Sequence, residues 1–457
     1  MRACAAAGVV VAACVCSVAA VDIPFRRLRT TPARNSRAAA VLDPGDPFAF
    51  QNLNNNVYAA EIVVQGVNFT AQLDTGSSDF WVDSSLASNN ASFVNATNTG
   101  LNAQLCYLDT TCAGGPILVV DVTFGNFTIS GQAMIDAVGT NATEGTGISG
   151  LIGLGAPAST SSSVIQNQGV DSQLNDSPLM NNLFTTYPDV DNYMTFLLSR
   201  APLHNDTAGG VLTLGELSSD WTEIADTEKL PVLSPNAWAT VIDGFVVNGD
   251  TVVGTSEVLP DRPPQLLSLL DTGTARALAP AEIVDALYKD LPGAEFDGCC
   301  QYTLSCDTLT NISVIVAGNM FPIHPIDAVI VPEAGEEPRA DADATLCVSA
   351  FSYMAPSYVD VILGDTFHRN AYALFYFGNW TRPDDVAPYV QLLSTTDASA
   401  AAAEFGALND ARIAARKASA QQDGPLQQSS ARGTSDFSTS VAWLLVPTFI
   451  GLVLLVA

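Results

Sequence analysis

The chain has 457 residues, 48% of them apolar and 8% aromatic, enough for a packed interior and more than one hydrophobic core usually organises. Its 18 basic and 47 acidic residues give a formal net charge of −29. That balance excludes a nucleic-acid binder, which needs a basic footprint against phosphate, and the apolar content excludes a wholly disordered chain.

In chain order, residues 1–20 read as a secretory signal peptide. Arg2 precedes a small-residue and apolar run through Ala13, and Ser17-Val18-Ala19-Ala20 offers small residues for cleavage. Residues 21–45 form a basic arm, whose stretch 21–37 holds Arg26, Arg27, Arg29, Arg34 and Arg37 against the single acid Asp22. Residues 38–400 carry 42 acids and eight bases, a local net charge of −34. A basic arm on so acidic a body is expected to dock on it, as an activation segment does. The plainer alternative is an unrelated leader on a solvated acidic surface.

From Val57 to Leu393 short β-branched and aromatic runs alternate with Gly, Pro, Asn and Asp, which predicts a mainly β fold. Ala60 to Val64, Ile117 to Phe124, and Gly244 to Val247 before the turn Asn248-Gly249 are examples. One helix is well signalled, with Pro280 at its first position and Ala281 to Lys289 after it. From 396 to 431 the chain turns rich in Ala, Ser and Gln, which reads as a stalk, helical around Ala401–Ala420, and as a linker rather than a domain. Residues 432–457 hold a polar spacer and then the uncharged run Val441 to Ala457. With the small triplet Ser429-Ser430-Ala431 upstream, this has the parts of a glycosylphosphatidylinositol signal with Ser429 or Ser430 as the attachment site. The expected location is the cell surface, held to plasma membrane or cell wall by that lipid. A single span or a fully secreted form is the alternative.

Three of the nine cysteines lie in the leader; Cys106, Cys112, Cys299, Cys300, Cys306 and Cys347 remain. Their pairing does not follow from spacing alone. Without a Cys-x-x-Cys pair, and with only His204, His324 and His368, the chain offers no ligand set for structural zinc, and no metal or other cofactor is expected. Nine Asn-x-Ser/Thr sequons, at Asn68, Asn90, Asn95, Asn126, Asn141, Asn175, Asn205, Asn311 and Asn379, fit a glycosylated surface.

The most informative feature is an internal repeat. Leu73-Asp74-Thr75-Gly76-Ser77 recurs 197 positions later as Leu270-Asp271-Thr272-Gly273-Thr274. Each copy is trailed by an apolar run ending in glycine, Leu151-Ile152-Gly153 and Ile362-Leu363-Gly364. Duplication of both parts in the same order implies two similar lobes that meet in space. In each turn glycine admits close neighbours and the hydroxyls supply hydrogen bonds to the carboxylate. Two such carboxylates face to face cannot both ionise cheaply, so they share a proton. The neutral member can polarise a carbonyl while the ionised one takes a proton from water, which hydrolyses an amide without metal or covalent intermediate. A serine-hydrolase elbow, Gly-x-Ser-x-Gly, is absent from the sequence.

Over residues 50–395 the chain resembles the pepsin-like aspartic peptidases, especially fungal secreted and surface-anchored members. The likeness rests on Gln72 to Val82, Leu270 to Thr274, and Val361 to Arg369. It implies a bilobal double-β-barrel fold, lobes 50–195 and 196–395, with the cleft between them. Asp74 and Asp271 would be the catalytic pair, Thr75 and Thr272 the lock between the loops, and Ser77 and Thr274 the hydroxyls on the carboxylates. A flap tyrosine bonded to Trp81 is also implied. Tyr107 is the best match, although Leu108 stands where glycine usually follows. Asp109 resembles the fungal flap aspartate that admits a basic side chain before the scissile bond. Cys106 and Cys112 bracket the flap tip at a spacing that allows a short disulfide loop, and Cys306 with Cys347 matches the family's second-lobe disulfide. Cys299-Cys300 has no counterpart: a vicinal bridge and pairing elsewhere both stay open. Ala275 replaces a common serine, with Arg276 next, while His324 and His368 read as scaffold.

The resemblance implies that the basic arm is a propeptide lying across the cleft, removed between Arg37 and Phe50, and that activity is favoured at acidic pH. The expected function is cleavage of protein or peptide substrates within extended segments, with bulky apolar residues around the bond. The rival reading is a non-catalytic surface glycoprotein that keeps the cleft for binding.

Overall fold

The computed structural model describes residues 50–422, apart from 54, 88–92, 94, 145, 156–162, 168–175, 202–206, 263, 333–344 and 383–384. The segments read as leader and basic arm, Ser429 and Ser430 as the expected lipid-attachment site, and the apolar tail therefore lie outside the described residues, as do the sequons at Asn90, Asn175 and Asn205.

The fold is mainly β. In the first lobe nine strands form one twisted sheet that includes Val57–Val64, Val67–Asp74, Phe80–Val82, Thr97–Cys106, Cys112–Phe124, Phe127–Asp136 and Gly150–Gly153. The second lobe holds a five-stranded and two four-stranded sheets between Ala239 and Val361–Leu363. Alternation dictates which face packs: in Ile312–Val316 every second residue is buried, as a strand with one covered face requires. The turn Asn248-Gly249 closes a two-residue hairpin with positive φ at both residues, 50° and 98°, the conformation such a turn needs. The predicted helix spans Ala281–Tyr288 with Pro280 just ahead of it.

The sequence repeat is built twice as the same motif. Val67–Asp74 runs parallel to Gly150–Gly153, with Asp74 opposite Gly153, and Gly150–Gly153 is antiparallel to Phe80–Val82. In the second lobe Leu266–Leu270 runs parallel to Val361–Leu363, with Leu270 opposite Leu363, and that strand is antiparallel to Ala277–Ala279. Each Asp-Thr-Gly turn thus leaves the end of a buried strand.

A five-stranded sheet joins the halves. Its order is Gly210–Leu214, Tyr193–Leu198, Ala371–Tyr376, Tyr389–Ser394 and Leu230–Pro231, so it draws strands from both ends of the body. The boundary expected between 195 and 196 instead falls inside one of these strands, because the connecting sheet needs that strand whole. Above it, Trp238 packs edge-on to Phe377 at 4.9 Å and to Trp380 at 5.0 Å between ring centroids. Its indole donates to the Leu154 carbonyl of the first lobe at 3.1 Å.

The segment read as a stalk is helical, as expected around Ala401–Ala420, and is docked on the body. Ala398–Gln422 is one helix packed on the second lobe, with Ala401, Phe405, Asn409, Arg412 and Ile413 buried. Arg412 donates to the carbonyls of Ile326 and Val329, Asn409 to Asp307, and Arg416 to the Leu346 carbonyl. His324, whose Nδ1 accepts from the Ile326 amide, meets Glu404 at 3.0 Å through Nε2. Polar anchors do the docking that an alanine-rich pattern does not announce. Arg412→Ala removes the donor to one buried and one half-buried carbonyl and is expected to cost about 2–3 kcal/mol. Limited proteolysis should then cut within 398–422 before it cuts the body.

Candidate active site

The two Asp-Thr-Gly turns meet at the lobe interface. The Thr75 amide donates to Thr272 Oγ1 at 3.1 Å, and the Thr272 amide to Thr75 Oγ1 at 3.0 Å. Each hydroxyl in turn donates across the interface, Thr75 to the Leu270 carbonyl at 2.8 Å and Thr272 to that of Leu73 at 3.0 Å. Because all four bonds are buried and reciprocal, the turns are fixed against each other rather than by either lobe alone. Gln72 adds a fifth link, donating to the Gly273 carbonyl at 3.1 Å.

This lock brings Asp74 and Asp271 into hydrogen-bond contact, with only 4% and 7% of their surfaces exposed. Each carboxylate lies over the glycine of the opposite turn. A Cβ on Gly76 would stand 2.5 Å from Asp271 Oδ1, and one on Gly273 would collide with Asp74 Oδ1. The glycines are therefore required by close approach. Donors surround the pair: the Gly76 amide and Ser77 Oγ bond Asp74, while the Gly273 amide and Thr274 Oγ1, both within 2.8 Å, bond Asp271. Burial, and next the Asp271 charge, hold the Asp74 carboxyl well above the usual carboxylate range, against the hydrogen bonds from Ser77 and Gly76.

Sequence reasoning left one nearby group without a role. Asp365 follows Gly364 at the end of the second repeat, is fully buried, and its carboxyl oxygens find no hydrogen-bond partner among the described residues. Burial first drives it to the neutral form; the Arg369 charge opposes that, and Asp271 and Asp74 add to it. The signal was present in sequence, a carboxylate next to the glycine of the repeat, but its proximity to the pair is set by long-range pairing of strands.

The strands Thr97–Cys106 and Cys112–Phe124 form a hairpin whose tip carries Tyr107 and Asp109. Trp81 Nε1 donates to Tyr107 Oη at 2.6 Å. Asp109 Oδ1 accepts from the amide and hydroxyl of Thr111, at 3.0 and 2.6 Å, so its carboxylate shapes the turn. Cys106 and Cys112 are bridged across this tip, and Cys306 is bridged to Cys347. Cys299 and Cys300 are both unbridged among the described residues. His368 is buried, and burial keeps its imidazole uncharged by pulling its pKa down to about 3.

The paired, locked acids between two lobes define the class: the chain belongs to the eukaryotic aspartyl protease family, whose model matches residues 57–381. It is 26% identical to rhizopuspepsin-2 of Rhizopus niveus over 365 residues, 77% of this chain and 83% of that protein. Cathepsin D of Dictyostelium discoideum is 24% identical over 373 residues, 77% of this chain and 88% of its own. The aspartic protease of Phaffia rhodozyma is 24% identical over 348 residues, 71% and 75% of the two chains.

Proposed function

We propose that the protein is an acid-active endopeptidase that hydrolyses peptide bonds through a water activated by Asp74 and Asp271. The observation that carries this reading is the contact of two buried carboxyls inside a reciprocal hydrogen-bonded lock. A proton shared by paired aspartates is the behaviour known for this family. The raised pKa of Asp74 favours it as the protonated member. The ionised partner takes a proton from water as the water oxygen attacks the scissile carbonyl carbon. The neutral carboxyl gives its proton to the carbonyl oxygen, and the resulting diol collapses as the amide nitrogen is protonated and leaves.

In this reading the substrate lies extended in the cleft under the hairpin tip, with apolar side chains around the scissile bond and a basic residue before it facing Asp109. The Trp81 bond would hold the Tyr107 ring in place. Tyr107→Phe removes that bond and is expected to lower kcat/KM about fivefold, mostly through KM, as one ordinary hydrogen bond predicts. The basic arm serves as propeptide, and the tail as lipid anchor at the cell surface. All six described sequon asparagines are exposed, which supports a glycoprotein.

A second reading, a catalytically weak surface protein that binds through the cleft, is favoured by the disulfide across the hairpin tip, which limits closure. Acid-pH cleavage of a denatured protein by the activated ectodomain, blocked by pepstatin, is the result expected of the first reading. Pepstatin binding without cleavage would establish the second.

A further inference from the structure

Four of the six cysteines in the body are bridged in two pairs, and the two left over are chain neighbours. Cys299 and Cys300 occupy the tip of the hairpin made by Glu295–Phe296 and Tyr302–Ser305, both partly exposed and in hydrogen-bond contact with each other. Asp297 Oδ1 gathers the tip by accepting from the amides of Cys299, Cys300 and Gln301 at 2.9, 2.9 and 3.3 Å. Gly298, at φ 85°, supplies the left-handed residue that lets the chain wrap around that carboxylate.

The tip is tied to the second catalytic-type turn. Gln301 Oε1 accepts from Arg276 Nη1 at 2.5 Å, and Arg276 lies two residues beyond Thr274. The Arg276 carbonyl packs so closely on Gly364 that a Cβ there would strike it. The Cys300 carbonyl accepts from the Tyr353 amide at 2.7 Å, which holds the tip to the strand Phe351–Tyr353, a member of the sheet that carries the Asp271 turn rather than of the hairpin's own sheet. A change of backbone at Cys300 is therefore one residue from a side chain that positions Arg276.

We propose that Cys299 and Cys300 form a reversible thiol–disulfide site that takes a small-molecule disulfide as its reactant, and that closing it resets Gln301 and Arg276 beside the Asp271 turn. Adjacent Cα atoms stand about 3.8 Å apart across a trans peptide, whereas disulfides usually span about 4.4–6.8 Å. Ring closure must therefore twist the Cys299-Cys300 peptide. The Cys300 amide then turns away from Asp297, and Gln301 moves with it. A bridge under such constraint is readily reduced again, which makes the site reversible rather than structural.

The Cys299 thiolate attacks one sulfur of the reactant and expels its other half as a thiolate, which takes up a proton. The Cys300 sulfur gives up its proton and attacks the mixed disulfide at the Cys299 sulfur, expelling the second half. Two protein thiols are oxidised, and one disulfide is reduced to two thiols. Burial, with Cys299 and Asp297 beside it, pushes the Cys300 thiol up to about 12, so Cys299 attacks and Cys300 resolves.

The test equilibrates the whole protein in glutathione buffers from reducing to oxidising, traps it with N-ethylmaleimide, and maps its peptides by mass. The expected result is a Cys299-Cys300 peptide with two labels in reducing buffer, and none, at a mass lower by two hydrogens, in oxidising buffer. The buried Cys306–Cys347 bridge should persist throughout. Two labels at every poise, a lasting glutathione adduct, or a disulfide-linked dimer would overturn the proposal. A second arm measures KM for a cleaved peptide in each buffer. It should shift about twofold or more in the native protein and stay constant in Cys299→Ser/Cys300→Ser. A shift that survives in the double variant belongs to Cys106–Cys112 and overturns the link to Arg276. Because mapping needs no activity, it decides the thiol site even if the chain cleaves nothing.

Discussion

Asp271→Asn is expected to lower kcat by about 10²–10⁴-fold, the range lost when a positioned acid–base group is removed. Asparagine keeps the size of the carboxylate: its Oδ1 can still accept from the Gly273 amide, and its Nδ2, standing where Oδ2 was, can donate to a rotated Thr274 hydroxyl, so the turn should stand. The threonine lock involves neither oxygen of Asp271 and should hold the lobes together unchanged. What disappears is the group that shares the proton. Without the Asp271 charge, one of the causes holding Asp74 neutral is gone, while burial remains. A lone buried carboxyl can donate a proton or accept one, but cannot do both in the same step. In the native protein activity should fall as pH rises through the raised pKa of Asp74, because the shared proton then leaves. Steady-state cleavage of an apolar peptide across pH, with circular dichroism as the control for folding, checks both statements. Full activity in Asp271→Asn would remove the pair from the mechanism.

Much of this site was legible because its chemistry is local. Asp-Thr-Gly-Ser/Thr is a turn whose residue types declare a carboxylate with donors and room beside it, and its recurrence with a trailing glycine strand declared two lobes. The Trp81 bond to Tyr107 followed from a resemblance, not from spacing. Asp365 was harder to read, since its burial beside the pair depends on Val361–Leu363 lying parallel to Leu266–Leu270. The docked helix Ala398–Gln422 was harder still. Its composition suits an exposed linker, and its anchors Asn409, Arg412 and Arg416 are ordinary surface types until the partner carbonyls of Ile326, Val329 and Leu346 are in place. Trp238 gave no local sign of its bond to Leu154, 84 residues away. Contacts between distant segments carry no signature in composition or period.

Asp327→Asn is expected to destabilise the protein by about 3–5 kcal/mol, the usual cost of breaking a buried ion pair by removing one partner. Asp327 is buried and accepts from Arg369 Nε at 2.8 Å, Arg200 Nε at 2.9 Å and Asn370 Nδ2 at 3.0 Å. Arg369 reaches on to the Asn55 carbonyl at 3.2 Å and to Tyr58 Oη in the first lobe. Asn370 Oδ1 accepts from the His324 amide and from Thr396, which leads into the C-terminal helix. One carboxylate therefore ties together both lobes, the connecting sheet and the helix, and its loss leaves the Arg369 guanidinium buried without that counter-charge. Burial alone would raise the Asp327 pKa, but the Arg200 and Arg369 charges prevail and hold it well below the usual range. A depressed carboxyl stabilises the fold above its unfolded value, near 4, and the benefit is lost only as pH falls through the folded value. Mild acid therefore leaves this tie intact. Asp74 and Asp365 have the opposite sign: their raised folded pKa values withdraw stability as pH climbs above about 4 towards those values. The unfolding midpoint of the native protein should accordingly be highest in mild acid and decline towards neutrality. Asp327→Asn should lower the midpoint across that whole range. Adding Arg369→Met to it should cost less than the two single effects combined, because the guanidinium left unpaired is then removed.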